Sequence, residues 1–245
     1  MPLLLGNGTK ISKYLINHDK EYEVILELGK KTTTADIEGE IIEERIVNKN
    51  LLNNVENILK EFIGKQKQVP PMYSAIKVNG KKLYDYARKG QTIEVEARQI
   101  EIYNIKLNKI DFENNQVYFY VKCSKGTYIR SLCEDIATRL GTVGYMKELN
   151  RISVGNFNIK DSIKISEFEK CALNNDFSKV ISIEELFKEK PSINLINEDF
   201  NKFINGVKIS TSNSIYNGVC KVYLEDKFIG LGILENSRLK RDVIM

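Results

Sequence analysis

The sequence predicts an α+β fold with more strand than helix: a mixed, largely antiparallel central sheet with flanking helices, and a small β module at the C-terminal end. Three observations carry this reading. Residues 20–28, KEYEVILEL, alternate in period two, with Tyr22, Val24, Leu26 and Leu28 on one face and Glu21, Glu23 and Glu27 on the other, as in a half-buried strand. Residues 50–63 instead space Leu51, Val55, Ile58, Leu59 and Phe62 along one helix face. The last segment, about fifty residues and too short for a large core, contains the hairpin pattern VCKVYLEDKFIGLGIL with a tight turn near Glu225-Asp226.

In chain order, MPLLLGNGTKIS opens on an apolar run, Leu3 to Leu5, that reads as the tail of a buried element, followed by the turn Gly6-Asn7-Gly8. After the first strand, KKTTTADIEGEIIEE reads as a polar loop and a return strand. Gly64 supplies a stop for the helix over 50–63. The stretch VPPMYSAIKVNGKKLYDYARKG begins extended because its prolines disfavour helix. It then turns at Asn79-Gly80 and continues as a short basic helix ending at Gly90. IEIYNIKL and VYFYVKC form strands joined through Glu113-Asn114-Asn115. Ser131 and Glu134 have the spacing of a capping box for SLCEDIATRL, which Gly141 terminates. The Lys- and Glu-rich ELFKEK before Pro191 reads as a linker, so the expected domains are 1–190 and 191–245.

The 245 residues suffice for one large domain, or a medium one with a small one. Apolar content of 42% and charged content of 29% indicate a folded chain. No run approaches a membrane span, and the opening leucines are too few, and too poor in flanking positive charge, for a signal peptide. A cytoplasmic location without membrane association is the expectation. The four cysteines are scattered with no CxxC pair, and His18 is the only histidine. No metal site is expected, and a histidine-based triad would have to use His18. The cysteines read as free thiols packed as small apolar groups. A net charge of +4 permits nucleic-acid binding without requiring it.

Four places could carry chemistry. Lys77, Lys81, Lys82, Arg88 and Lys89 interleave with Tyr73, Tyr84 and Tyr86. Basic groups track phosphates and aromatics stack on bases, although a solvated helix face over packed tyrosines has the same pattern. In KCSKGTYIR, Tyr128 and Arg130 are two apart and share a face if the segment is extended. The arginine could then grip a carboxylate beside an aromatic wall; a surface arginine and a core tyrosine is the plainer alternative. Tyr22 is either a core ring or one presented to a base. Arg151 is the polar exception in ELNRISVGNF, whose Leu149, Ile152, Val154 and Phe157 suit packing.

Together, PLLLGNGTKISKYL, KEYEV, MYSAIKVNGKKLYDYAR, CSKGTYIRSL and ELNRISVGNF occur in order across residues 2–157. In this the chain resembles the bacterial tRNA pseudouridine synthases of the TruB type. The resemblance implies the pseudouridine synthase fold, followed from about 192 by a PUA-like RNA-binding module, the latter resting on VCKVYLEDKFIGLGIL. It implies isomerisation of the T-loop uridine (position 55) of tRNA, by a monomer, with no metal or organic cofactor. The uridine is flipped into a pocket, an aspartate acts covalently, the glycosidic bond breaks, the uracil turns and a C–C bond forms. By position, Tyr22 would stack on the base and help remove a proton. Arg130 would pair with the nucleophilic aspartate, and Tyr128 and Leu149 would line the uracil pocket. Lys77, Lys81, Lys82, Arg88, Lys125 and Arg151 are assigned to RNA on electrostatic grounds.

In the family, the leucine-rich opening follows a GHTGTLDPLATG-like motif that carries the nucleophile and an RNA-contacting histidine; these 245 residues lack that motif. The expectation is an N-terminally truncated member, inactive alone; a non-catalytic protein that holds the tRNA elbow is the alternative. The family loop TDTxDxxG reads TTTADIEG here: Asp36 is kept, while Thr33 and Glu38 stand where family acids often stand. Arg130 is then expected to lack its partner and to face an open cleft. Replacement of the nucleophile by Asp19 or Asp36 is not expected, because misplacement by about 1 Å costs on the order of a hundredfold in rate.

Overall fold

The computed structural model describes residues 1–211 and 216–245. Two compact units divide the chain: Met1–Pro2 with Ile16–Ser162, and Leu3–Leu15 with Ile163–Met245. In chain order, a 3-10 turn over Gly6–Ile11 leads into the short helix α1 (Ser12–Leu15), which belongs to the second unit.

The first unit is built on a six-stranded sheet. Its elements are β1 (Lys20–Leu28), the small hairpin of β2 (Lys30–Thr32) and β3 (Ile41–Glu44), helices α2 (Lys49–Leu52) and α3 (Val55–Glu61), and β4 (Gly64–Gln68). A second small hairpin, β5 (Lys77–Val78) and β6 (Lys81–Lys82), precedes α4 (Leu83–Ala87). Then come β7 (Arg98–Asp111), β8 (Gln116–Cys123), α5 (Ile129–Arg139), β9 (Gly144–Val154) and β10 (Phe157–Asn158). The sheet order is β10-β9-β1-β8-β7-β4, with every neighbouring pair antiparallel. β1 takes the bounds its alternation predicts, and its Val24, Leu26 and Leu28 join Phe119 and Val121 of β8 in the core. Leu59 of α3 and Leu132 and Ile136 of α5 pack into the same cluster. Complete burial of a side chain such as Phe119 contributes on the order of 1.5–3 kcal/mol.

Three local expectations are corrected. The helix over 50–63 is two helices, because Asn53 and Asn54 tighten the chain with amide bonds to the carbonyls of Asn50 and Leu51, three residues back. Helix α5 starts at Ile129, ahead of the supposed capping box, with Tyr128 at its N-cap position. Ser131 does not cap the helix; its hydroxyl donates to the Val69 carbonyl at 3.2 Å. Leu3 and Leu5 are not core residues: they are 61% and 55% exposed, and Leu4 alone of the three packs against a core. The Asn79-Gly80 turn has the expected form, both residues having positive φ (51° and 79°), as a two-residue hairpin turn requires.

The second unit continues with α6 (Ile165–Leu173), α7 (Ile183–Leu186), β11 (Ser192–Leu195), α8 (Asn197–Ile204) and β12 (Ile209–Ser210). It ends with β13 (Gly218–Leu224), β14 (Lys227–Glu235) and β15 (Arg238–Ile244). Its five-stranded sheet runs β11-β13-β14-β15-β12, parallel between β11 and β13 and otherwise antiparallel. Glu225 and Asp226 form the tight turn at positive φ. One apolar cluster sets Phe203 of α8 against Cys220, Val222, Leu234 and Leu239. Another joins Leu231 and Val243 to Ile11 and Phe187. The ELFKEK stretch is therefore not a linker: Phe187 within it is 7% exposed, and the units divide at Ser162/Ile163 rather than at Pro191.

Among the described residues, no helix is long and apolar enough to cross a membrane, and no three His, Cys, Asp or Glu side chains gather as metal ligands. Cys123, Cys133 and Cys220 are buried, and Cys171 is half-buried.

Candidate active site and nucleic-acid interface

Arg130 lies in the first turn of α5, so the extended geometry that would align it with Tyr128 does not occur. It is not left without a partner either. One guanidinium nitrogen donates to Asp36 Oδ2 at 3.0 Å and to the Thr34 carbonyl at 3.3 Å; the other donates to the Tyr73 carbonyl at 2.7 Å. Both side chains of this ion pair are about four-fifths shielded, at 22% and 19% exposure. The loop that delivers Asp36 turns through Ala35 at φ 61° and is pinned to β9 by the Met146 amide on the Ala35 carbonyl. Asp36 Oδ1 accepts from the Thr34 hydroxyl and the Glu38 amide. Thr33 receives the Glu40 amide on its hydroxyl, a loop-closing role with no part in the ion pair.

The backbone before Arg130 is held from the end of β4. Buried Gln68 accepts the Tyr128 amide on Oε1 at 2.8 Å and donates from Nε2 to the Tyr128 carbonyl at 3.0 Å. One side-chain amide thus pairs with both polar groups of one residue, replacing the absent side-chain cap. Together with the bonds to Val69 and Tyr73, segment 68–73 fixes both the start of α5 and the arginine's aim.

Tyr22 is the second focus. The register sets it opposite Arg151 on β9, and Val24 opposite Leu149. The Arg151 guanidinium stands over the Tyr22 ring, 5.4 Å from its centroid, within cation–π range. Burial pushes the Tyr22 hydroxyl up and Arg151 pulls it partly back. Leu149 is 41% exposed on β9. Two residues before Tyr22, Lys20 donates to the carbonyls of His18 at 2.6 Å and Ile16 at 3.2 Å. Lys125, in the turn after β8, reaches Asn17 Oδ1 at 2.7 Å in the same short segment. Asp19 is engaged by the Tyr103 hydroxyl at 3.2 Å and lies away from the arginine's contacts. Among the described residues, no hydrogen bond or ring contact joins Tyr22 to Arg130.

The basic stretch forms a third group. Lys77 and Lys81 are exposed on the β5–β6 hairpin. Lys82 donates to the Tyr84 hydroxyl at 2.8 Å, and Arg88 stands 5.4 Å from the Tyr84 ring centroid. Tyr86 donates to the Val78 carbonyl, tying α4 to the hairpin. This is a cationic surface with an aromatic ring approached by two cations.

The sequence reading missed Gln68, Lys20 and the Asp36–Arg130 pair. Period-two alternation puts Lys20 on the face of Tyr22, which was a usable signal. Nothing local marks Gln68, whose partner is 60 residues away.

Comparison with known proteins fits this geometry. The model for the TruB family pseudouridylate synthase N-terminal domain matches residues 1–129, and that for the tRNA pseudouridylate synthase B C-terminal domain matches 130–186. The chain belongs to the TruB family. Among TruB relatives, it is 42% identical to the tRNA pseudouridine synthase B of Clostridium tetani, over 95% of this chain and 80% of that protein. It is 36% identical to that of Caldanaerobacter subterraneus subsp. tengcongensis, over 98% of this chain and 82% of the relative. Among solved structures, an H/ACA RNP bound to a substrate RNA containing 2'-deoxyuridine matches with TM-score 0.62 and 18% identity, covering 98% of this chain and 70% of the other. An archaeal box H/ACA sRNP complex matches with TM-score 0.57 and 19% identity, covering 98% and 69%. These show a shared fold. The TruB relatives, at 35–42% identity over most of the chain, make the family function that of a tRNA pseudouridine synthase.

Proposed function

We propose that the chain binds the T-arm of tRNA and serves the isomerisation of its T-loop uridine, in the cytoplasm and as a monomer. The observation that carries this reading is the grip on Arg130: three oxygens from two separate segments aim one guanidinium, at the position where the family resemblance calls for an arginine. Tyr22 is 6% exposed in the core cluster with the Arg151 guanidinium over its ring, so it takes the flipped base once that guanidinium swings aside; Leu149 stands on the neighbouring strand, and Tyr128 is assigned to the wall by the resemblance alone. Lys77, Lys81, Lys82, Arg88, Lys125 and Arg151 supply cations for the RNA backbone.

Asp36 serves this arrangement as a positioning group. Its Oδ2 accepts from Arg130, and its Oδ1 from the Thr34 hydroxyl and the Glu38 amide. Attack on a base would require it to surrender these bonds. With both of its oxygens so committed, Asp36 is expected to hold the arginine rather than attack the uridine, which keeps the elbow-holding alternative as a second reading.

The test is competition between two hairpins of equal length in filter binding, one a T-arm and the other an anticodon arm. The T-arm should bind at least about tenfold tighter, a difference of ~1.4 kcal/mol. Equal affinity would refute T-arm recognition.

A further inference from the structure

We propose that Lys20, Lys125 and Arg151 form a binding site for one backbone phosphate of the RNA, adjoining the base that lies on Tyr22. This rests on the proposed T-arm reading and adds to it a specific ligand group and a residue, Lys20, that neither motif nor composition assigned to RNA.

The site is assembled from three strands. Lys20 begins β1 and lies on the face of Tyr22, with Cys123 of β8 and Val154 of β9 opposite it. Lys125 comes from the turn that follows β8, where Gly126 takes φ 81°. Arg151 comes from β9, opposite Tyr22 and above its ring. Lys20 and Lys125 grip the same segment, 16–18, through two carbonyls and one side-chain amide. Two of the three ammonium hydrogens of Lys20 are spent there, and the third is available to a ligand. Arg151 stacked on a ring still offers its in-plane N–H edge.

Charge makes the argument specific. Among the described residues, none of the three cations has a carboxylate within 4.0 Å, whereas Lys122, one residue before Cys123, is paired with Glu21 at 3.2 Å. The nearby carboxylate, Asp19, accepts from the Tyr103 hydroxyl. Burial first, and then the charge of Arg151, lower the Lys20 pKa below its usual value, with Lys125 acting in the same direction and the Asp19 carboxylate pulling it partly back. Three like charges with Asp19 nearby but no carboxylate in direct contact cost free energy that an anion between them returns. A phosphodiester suits the geometry: one negative charge over two unesterified oxygens, able to accept from an ammonium and a guanidinium together. A phosphate here would sit beside the ring on which the flipped base stacks, and would position the base without reading its sequence.

The experiment measures the affinity of the whole chain for a T-arm hairpin across a salt series, with the unmodified RNA and with a set of RNAs carrying one neutral methylphosphonate each. Lys20→Met should lower the magnitude of the log affinity–log salt slope by roughly 0.7–0.9, the loss of about one phosphate contact. Lys125→Met should do the same, and Lys20→Arg should restore the slope. Lys60→Met, which removes a surface pair with Glu56, should leave it unchanged. One methylphosphonate position should weaken wild type and leave Lys20→Met unaffected. A Lys20→Met variant that binds more weakly with the wild-type slope would overturn the site and make this lysine a brace for segment 16–18. A methylphosphonate set in which no position abolishes the difference between wild type and Lys20→Met would overturn it as well. Failure of the wild-type chain to bind the hairpin at low salt would overturn the T-arm reading and this site with it.

Discussion

A single carboxylate decides how Arg130 is presented. Asp36 and Arg130 are 94 residues apart and meet at 3.0 Å with most of both side chains shielded. Replacing the carboxylate leaves a partly desolvated guanidinium with two carbonyl partners and no counter-charge. Hydrogen bonds to charged groups contribute about 1.5–3 kcal/mol, and exposure of about a fifth reduces this. Asp36→Ala is expected to destabilise the first unit by about 1–2 kcal/mol, read as a lower urea midpoint at unchanged m-value. Asp36→Asn, which keeps an acceptor, should recover part of that. No change in either variant would mean that the pair contributes nothing beyond what water provides. The sequence predicted that Arg130 would face an open cleft because the partner it calls for by resemblance is missing. The structure instead pairs Arg130 with the loop carboxylate of Asp36. This was not legible because the pairing depends on the path of the loop, set by Ala35 in a left-handed conformation and by the Met146 amide, and neither leaves a pattern in the residue string.

At the scale of elements, alternation was the most readable signal. β1 needs only its own residues to declare its buried face, and it took the predicted bounds. Helix boundaries depended on tertiary partners: α5 begins where Gln68 meets Tyr128, not where Ser131 and Glu134 suggested a cap. The polar face of β1 has its own energetics. Burial raises the Glu27 carboxyl, but the hydrogen bond and charge of Lys147 outweigh this and leave its pKa below the usual value. A depressed carboxylate contributes stability that is present above its unfolded pKa and is lost as pH falls through the folded one. Lys147→Met should therefore cost about 1 kcal/mol at pH 7, with the gap from wild type closing as pH falls through the lowered Glu27 pKa. Urea titrations at a series of pH values read this directly; a gap independent of pH would assign the loss to packing of the lysine stem instead.

Across the whole molecule, the separate C-terminal sheet was legible from its hairpin pattern, whereas its packing partners from the start of the chain were not. Ile11 is buried with Phe187, Leu231 and Val243, contacts that bridge more than 170 residues of sequence. Lys13 and Tyr14 both reach the Asp242 carboxylate, and burial followed by that carboxylate pushes the Tyr14 hydroxyl up. Ile11→Ala should cost about 2–5 kcal/mol, the range for truncating a buried aliphatic. It should be seen as increased amide exchange in β14 and β15; unchanged protection there would show that the segment is not part of that core.

Binding and conversion are expected to separate in this polypeptide. The cationic hairpin, the Tyr22–Arg151 stack and the Arg130 grip are all formed within these residues, so the proposed T-arm binding is predicted to be measurable with this polypeptide. Conversion needs a nucleophile, and removing a covalent nucleophile deletes the intermediate itself rather than a share of its stabilisation. Asp36 is the carboxylate ion-paired with Arg130 among the described residues, and its two oxygens are committed to Arg130, Thr34 and Glu38. A T-arm hairpin tritiated at uracil C5 should bind at low salt and release no tritium above a protein-free control, even with protein in excess and long incubation. Release from the wild-type polypeptide that Asp36→Asn abolishes, at equal hairpin affinity, would make Asp36 the nucleophile and reverse the positioning role assigned to it.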